Sequence, residues 1–169
     1  LTPTPTPTRT VVPTPTNTPT PAITGIVINE VCPNMVNIDL FPDGTLGNDN
    51  AVELFAVTQT DVSNYWLCGH NSCIRLRGET VPYRGYSVFY QEVDGPRLIP
   101  GGGSVTLYDS STVPWSVVDT VSWSNVNADH CLARVYDAAP TWRENRWPTI
   151  GYGNSSWALT PTPTVTPAP

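Results

Sequence analysis

The chain has 169 residues, 14 acidic groups against eight arginines, no lysine and a formal net charge of −6. Nucleic acid is held largely through counterion release by clustered cations, so an acidic, lysine-free chain predicts no nucleic-acid partner. No stretch approaches the ~18 apolar residues of a spanning helix, which predicts no membrane insertion.

Residues 1–22 alternate proline and threonine and carry a single charge, Arg9. Proline fixes φ and removes the amide donor, so helix and central strand are both excluded and polyproline II is predicted. At ~3.1 Å per residue this leader would reach roughly 68 Å, beyond the ~37 Å diameter expected of the domain that follows. Residues 158–169 repeat the pattern, and the two flanks hold 11 of the 19 prolines together with 13 threonines.

Threonines spaced by two project around the whole circumference of a polyproline II helix, the arrangement of O-glycosylated stalks. The candidate acceptors are Thr2, Thr4, Thr6, Thr8, Thr14, Thr16, Thr18, Thr20, Thr160, Thr162 and Thr164. A bare semi-rigid spacer is the plainer reading. The sequon Asn154-Ser155-Ser156 marks Asn154 for N-glycosylation.

Residues 23–157 form one expected domain, with all four cysteines and all six tryptophans. The chain opens on Leu1 and its only methionine is Met35, so a processed product or excised segment is expected. Short β-rich runs recur between turn signals, and apolar residues nowhere keep helical spacing over three turns. Strands are predicted at 25–32, 51–57, 65–68, 73–76, 86–90, 104–108, 117–123 and 131–135. Pro42-Asp43-Gly44, Arg84-Gly85, Asp94-Gly95-Pro96, Gly101-Gly102-Gly103 and Ala139-Pro140 punctuate them. Eight short strands predict an all-β antiparallel sandwich or barrel.

The order of motifs resembles the lamin tail domain of bacterial secreted and surface proteins. It runs from Ile28-Asn29-Glu30-Val31 through Val52-Glu53-Leu54-Phe55, Val62-Ser63-Asn64-Tyr65-Trp66-Leu67 and Val81-Pro82-Tyr83-Arg84-Gly85-Tyr86. Gly103-Ser104-Val105-Thr106-Leu107-Tyr108-Asp109, Val118-Asp119-Thr120-Val121, Cys131-Leu132-Ala133-Arg134, Trp142 and Pro148-Thr149-Ile150-Gly151 before Asn154 complete it. The family usually has serine in place of Cys131 and a second proline in place of Ile150. The resemblance implies an immunoglobulin-like β-sandwich and a non-catalytic domain used for attachment or interaction.

Four cysteines allow three pairings. Cys68 and Cys73 bracket a four-residue stretch that suits a hairpin disulfide, leaving Cys32 with Cys131, and two disulfides imply an oxidising compartment. Zinc on Cys68, His70, Cys73, His130 and Cys131 is the alternative, though the cysteine spacing has no second matching knuckle. His130 beside Cys131 suggests a thiol catalyst only superficially, since adjacent strand residues face opposite ways.

Glu30 and Glu53 invite comparison with a glycosidase pair. Their place in strand motifs favours a structural role, pairing with Arg134 or accepting backbone donors. Asp39, Asp43 and Asp49, with Asn48 and Asn50, crowd one loop and offer oxygen ligands for calcium, but the spacing matches no EF-hand and turn chemistry explains the same residues. Among the C-terminal aromatics, Trp142 and Trp147 are candidates to stack on sugars or on polyproline segments, with Val11 and Val12 setting the register of such docking. Core packing is the plainer reading.

The expected protein is therefore not an enzyme and needs no cofactor. It is a secreted, extracellular or cell-surface structural subunit, self-associating into a glycan-covered fibre or stalk. A carbohydrate- or cell-wall-binding accessory module of a larger secreted protein is the alternative.

Overall fold

The computed structural model describes residues 25–154, apart from 48, 79 and the side chain of Asn145. The expected polyproline segments, the boundaries at 22/23 and 157/158, the eleven candidate threonines, Val11 and Val12 lie outside the described residues.

Eleven strands follow one another: β1 (Ile26–Cys32), β2 (Ala51–Ala56), β3 (Thr60–Asp61), β4 (Tyr65–Gly69), β5 (Ser72–Arg75), β6 (Thr80–Val81), β7 (Tyr86–Tyr90), β8 (Gly103–Asp109), β9 (Ser116–Trp123), β10 (Cys131–Arg134) and β11 (Trp142–Arg146). All eight predicted strands are present. The additional ones lack the signal that prediction relies on. β3 and β6 are two residues each, and β11 reads Trp-Arg-Glu-Asn-Arg, without apolar alternation.

The strands form a five-stranded sheet ordered β11-β10-β1-β2-β7, a four-stranded sheet ordered β5-β4-β8-β9, and the small ribbon β3-β6. Every pair is antiparallel. Ile28, Val52, Leu54 and Phe89 from the first sheet meet Leu67, Val105, Leu107 and Val121 from the second in one apolar cluster. Two sheets sharing a core in this way have the architecture of a β-sandwich. Among the described residues no helix is long and apolar enough to cross a membrane.

The central strands are unusual. Every residue of β1 and β2 is buried, whereas β8 shows the ordinary alternation, with Val105 and Leu107 inside and Ser104 exposed. One face of β1 and β2 lies on the sandwich core. A register shift between Ile28 and Glu30 sets which residues take the other. An extra residue at such a bulge lets Ile28 and Val31, three apart, both point into the core. Glu30 and Cys32 are turned to the opposite face, which a second, smaller cluster of Cys32, Met35 and Cys131 partly covers.

Candidate functional site

The bulge in β1 requires partners for its backbone. Strand β10 pairs with β1 only at Glu30 and Val31. Ile28 instead donates its amide to Asp119 Oδ2 at 2.8 Å and accepts Arg134 Nε on its carbonyl at 2.6 Å. Arg134 Nη2 closes the triangle on the same Asp119 oxygen at 2.7 Å, and Nη1 donates to the carbonyl of Ala139. The guanidinium carbon lies 4.6 Å from the centre of the Trp142 ring, so the cation is also held against an aromatic face. Asp119 stands on β9, so this ion pair ties the two sheets together.

The opposite face of β1 and β2 carries the second polar assembly. Glu30 and Glu53 are directly opposed across the two strands, so both carboxyls project to the same side. The turn after β11 closes over them. Thr149 donates its amide to Glu30 Oε1 at 2.9 Å, and Gly151 donates its amide to Glu53 Oε2 at 2.5 Å. Gly151 sits at φ +81°, a left-handed conformation that residues with a Cβ rarely adopt. Ile150, between them, packs on the Cys32, Met35 and Cys131 cluster.

Asn29 knits the assembly together. Its Nδ2 donates to Glu53 Oε1 at 2.8 Å and to Asp137 Oδ1 at 3.1 Å, while its Oδ1 accepts the amide of Ala138. Tyr86 donates its hydroxyl to Asp137 Oδ2 at 2.6 Å, and Asn154 donates its amide to Asp137 Oδ1 at 2.9 Å. No buried side-chain nitrogen or oxygen among the described residues is left without a partner. Satisfied networks of this kind rigidify the structure, whereas partly satisfied ones are costly.

Burial raises both glutamates. Glu30 is pushed up to about 7 by desolvation, against the lowering effect of its bonds to Thr149. Glu53 is pushed up to about 8 by desolvation and by the charge of Glu30. The hydrogen-bond donors around Glu30 agree. Thr149 Oγ1 lies 2.5 Å from Glu30 Oε2 and 2.9 Å from Asn154 Oδ1, and Asn154 Nδ2 is committed to the carbonyl of Asn29. A hydroxyl has one proton for these two oxygens, so both contacts are hydrogen bonds when Glu30 is protonated and donates to Thr149. Desolvation and the hydrogen bond from Tyr86 to Asp137 hold the Tyr86 hydroxyl far above its ordinary value.

The structure separates several residues that sequence patterning had grouped. Arg134 does not pair with Glu30 or Glu53; the bulge in β1 brings Glu30 to the face that Glu53 already occupies, and Arg134 meets Asp119 on the other. The glutamates accept backbone donors instead. Both are fully buried, so neither can meet a glycosidic bond in the folded state.

Cys32 is bonded to Cys131 and Cys68 to Cys73. The second pair lies directly across the β4–β5 ladder. These bonds remove the thiolates that zinc or a cysteine catalyst would need. Glu30, Cys32 and Cys131 converge, but a disulfide sulfur is no thiolate ligand and has no proton to give Glu30 Oε1, 3.7 Å away.

Asn154 is only 8% exposed, and the nitrogen that would carry a glycan is the one bonded to Asn29. A glycan there would displace that bond, which weighs against the expectation drawn from the sequon. Asp39, Asp43 and Asp49 do not converge on a common point within metal-ligand reach. Asp39 accepts the amide of Gly44, Asp43 accepts the amide and hydroxyl of Thr45, and Asp49 accepts the amide of Leu40, as turn-forming acids do.

Trp142 packs on the core beneath Arg134 and is no free platform. Trp147 is 51% exposed, with its ring 4.8 Å from that of His130. Another ring grouping, of exposed Trp115 with half-buried Trp66 and Tyr108, lies on the outer side of the four-stranded sheet. There Trp66 and Trp115 stack at 4.9 Å and Tyr108 approaches Trp115 at 6.2 Å.

The residues that sequence reasoning missed are Asn29, Tyr86, Asp119 and Asp137 as network members. Asn29, Tyr86 and Asp119 lie within the strand motifs quoted above, while Asp137 stands in a turn with no distinguishing pattern. Comparison with family models, curated proteins and solved structures finds no match to this chain.

Proposed function

We propose that this protein is a non-catalytic extracellular structural module, a load-bearing node between two Pro/Thr-rich segments that assembles into a surface fibre or stalk. One observation carries the reading: the described chain enters on β1 and leaves at Asn154, and these two places are fastened directly to each other. Thr149 binds Glu30 of β1, and Asn154 binds the backbone of Asn29, also on β1. The Cys32–Cys131 bond adds a covalent link from the end of β1 to β10. A pull applied to the flanks would thus load a short, cross-linked path rather than the whole fold.

The resemblance to lamin tail domains supports an immunoglobulin-like attachment domain, and two disulfides accord with an oxidising exterior. The burial of Glu30 and Glu53 removes the pair that most invited an enzymatic reading. Electron microscopy and sedimentation of purified full-length chain test the assembly. Fibres or concentration-dependent oligomers are expected; only dispersed monomers at every concentration would refute it.

A carbohydrate-binding module is the second reading, favoured by Trp66, Trp115 and Tyr108 on one open sheet face. A glycan array separates the two, with loss of binding in Trp115→Ala as the mark of a sugar platform.

A further inference from the structure

Among the described residues the four-stranded sheet has β5 at one edge, bonded to β4 alone. Leu76 donates its amide to Tyr65, which fixes the phase of the antiparallel ladder. Bonding positions alternate along such a ladder, so Ser72 and Ile74 face β4 and the amides and carbonyls of Cys73 and Arg75 point away from it. The Cys68–Cys73 bond pins this short strand to its neighbour across the sheet. The edge is therefore held in an extended form before any partner arrives, which lowers the ordering cost of pairing.

Beside this edge runs a groove of about 630 Å³, reaching from β5 to β7. Half-buried Ile74 and exposed Val93 are the apolar surface of this lining, over the buried Val62, Leu76 and Phe89, while Arg75 and Arg77 stand along the edge. Both arginines are exposed, and Arg75 is oriented by donating Nε to the carbonyl of Ser63 at 3.1 Å. Asp94 also lines the groove, but it is a turn acceptor for the amide of Tyr90. Arg75 and Arg77 against Asp94 leave the lining with one net positive charge, in a chain whose net charge is −6.

We infer that the β5 edge is an acceptor site for an extended segment of a partner protein that alternates apolar and acidic residues. The segment would add as a fifth strand to this sheet. Its backbone would pair with Cys73 and Arg75, its acidic side chains would lie beside Arg75 and Arg77, and its apolar ones would fill the groove over Ile74 and Val93. The site is independent of the flanks and of the fibre reading, since it needs only the sandwich.

The test uses isotope-labelled full-length chain and two synthetic peptides, one alternating valine with glutamate and one alternating valine with lysine. Saturable binding of the glutamate peptide is expected, with the amides of Cys73 and Arg75 newly protected from hydrogen exchange. The lysine peptide should bind at least about tenfold more weakly through like-charge opposition. The exposed double variant Arg75→Glu/Arg77→Glu should reverse the order. No saturable binding, equal affinity for both peptides, or protection confined to other strands would overturn the inference and leave the arginines as guards of a closed edge. Protection of these amides by self-association without peptide would also overturn it, making a second copy the occupant.

Discussion

Glu30 on β1 and Glu53 on β2 face each other directly across the centre of one sheet, both fully buried, with the turn from Thr149 to Gly151 closed over them. Two carboxyls in such a place are stable as neutral or proton-sharing groups and unstable as a pair of anions.

Stability should therefore fall as the pH rises. In the unfolded chain both groups ionise near 4.5, whereas in the folded protein they hold their protons to about 7 and about 8. The folded state binds more protons throughout that interval, so their stabilisation is complete below about 4.5 and is lost as the pH passes through 7 to 8. A pKa unit is worth about 1.4 kcal/mol, which makes Glu30 alone worth about 3 kcal/mol. Calorimetry should find a higher Tm near pH 5 than near pH 8, by roughly 10 °C. Glu30→Gln should flatten part of the slope, because its amide can still donate to Thr149 Oγ1, and Glu30→Gln/Glu53→Gln should remove most of it. A Tm that climbs over this range contradicts the account.

The inter-sheet triangle of Arg134, Asp119 and Ile28 makes an ordering prediction. Arg134→Met strands a mostly buried carboxylate and the carbonyl of Ile28, with a cost of about 3–5 kcal/mol. Asp119→Asn keeps an acceptor for the Ile28 amide and should cost less, about 1–2 kcal/mol. Arg134→Lys should not restore stability, since one ammonium cannot reproduce the three hydrogen bonds of the fork. Chemical denaturation gives all three values, and equal losses for Arg134→Met and Asp119→Asn would show that the bulge does not depend on the ion pair.

The disulfides should contribute unequally. Cys32–Cys131 spans a sequence separation of 99 and Cys68–Cys73 a separation of 5. Loop-closure entropy assigns about 4–5 kcal/mol to the first and about 2 kcal/mol to the second. Alanine replacement of each pair, followed by urea melts, should reproduce that order.

Mass mapping of material from a glycosylating host should find Asn154 unmodified, because its Nδ2 is committed to Asn29. Treatment with an N-glycosidase should leave the intact mass unchanged, and mass above the calculated 18.4 kDa should map to the threonines of the flanks. Asn154→Ala should cost about 1–3 kcal/mol by leaving partners in the network unsatisfied. A glycan at Asn154 on folded protein would refute the position described for it.

Much of the fold was legible because β-strands announce themselves by composition and punctuation. The runs at Ala51 to Ala56 and Gly103 to Asp109 each follow a glycine-marked loop and stand out without any neighbour. β11 did not, because its charged residues satisfy no apolar period and its pairing with β10 comes from that neighbour. The disulfides were legible too, since a four-residue spacer left one sensible partner for the remaining pair. The acidic assembly was visible only as two suggestive glutamates.

Proline placement, residue period and cysteine spacing are local properties, and they were enough to predict an all-β domain and its main strands and to favour its two covalent links. The choice of partner for each buried charge was decided by the tertiary structure alone. One bulged residue in β1 put Glu30 on the face of Glu53, away from Arg134, and the bonds that then formed join residues far apart in the chain, 119 positions between Glu30 and Thr149 and 98 between Glu53 and Gly151. Contacts at such separations depend on how the bulge, the sheet order and the closing turn come together, and no window of sequence contains all three.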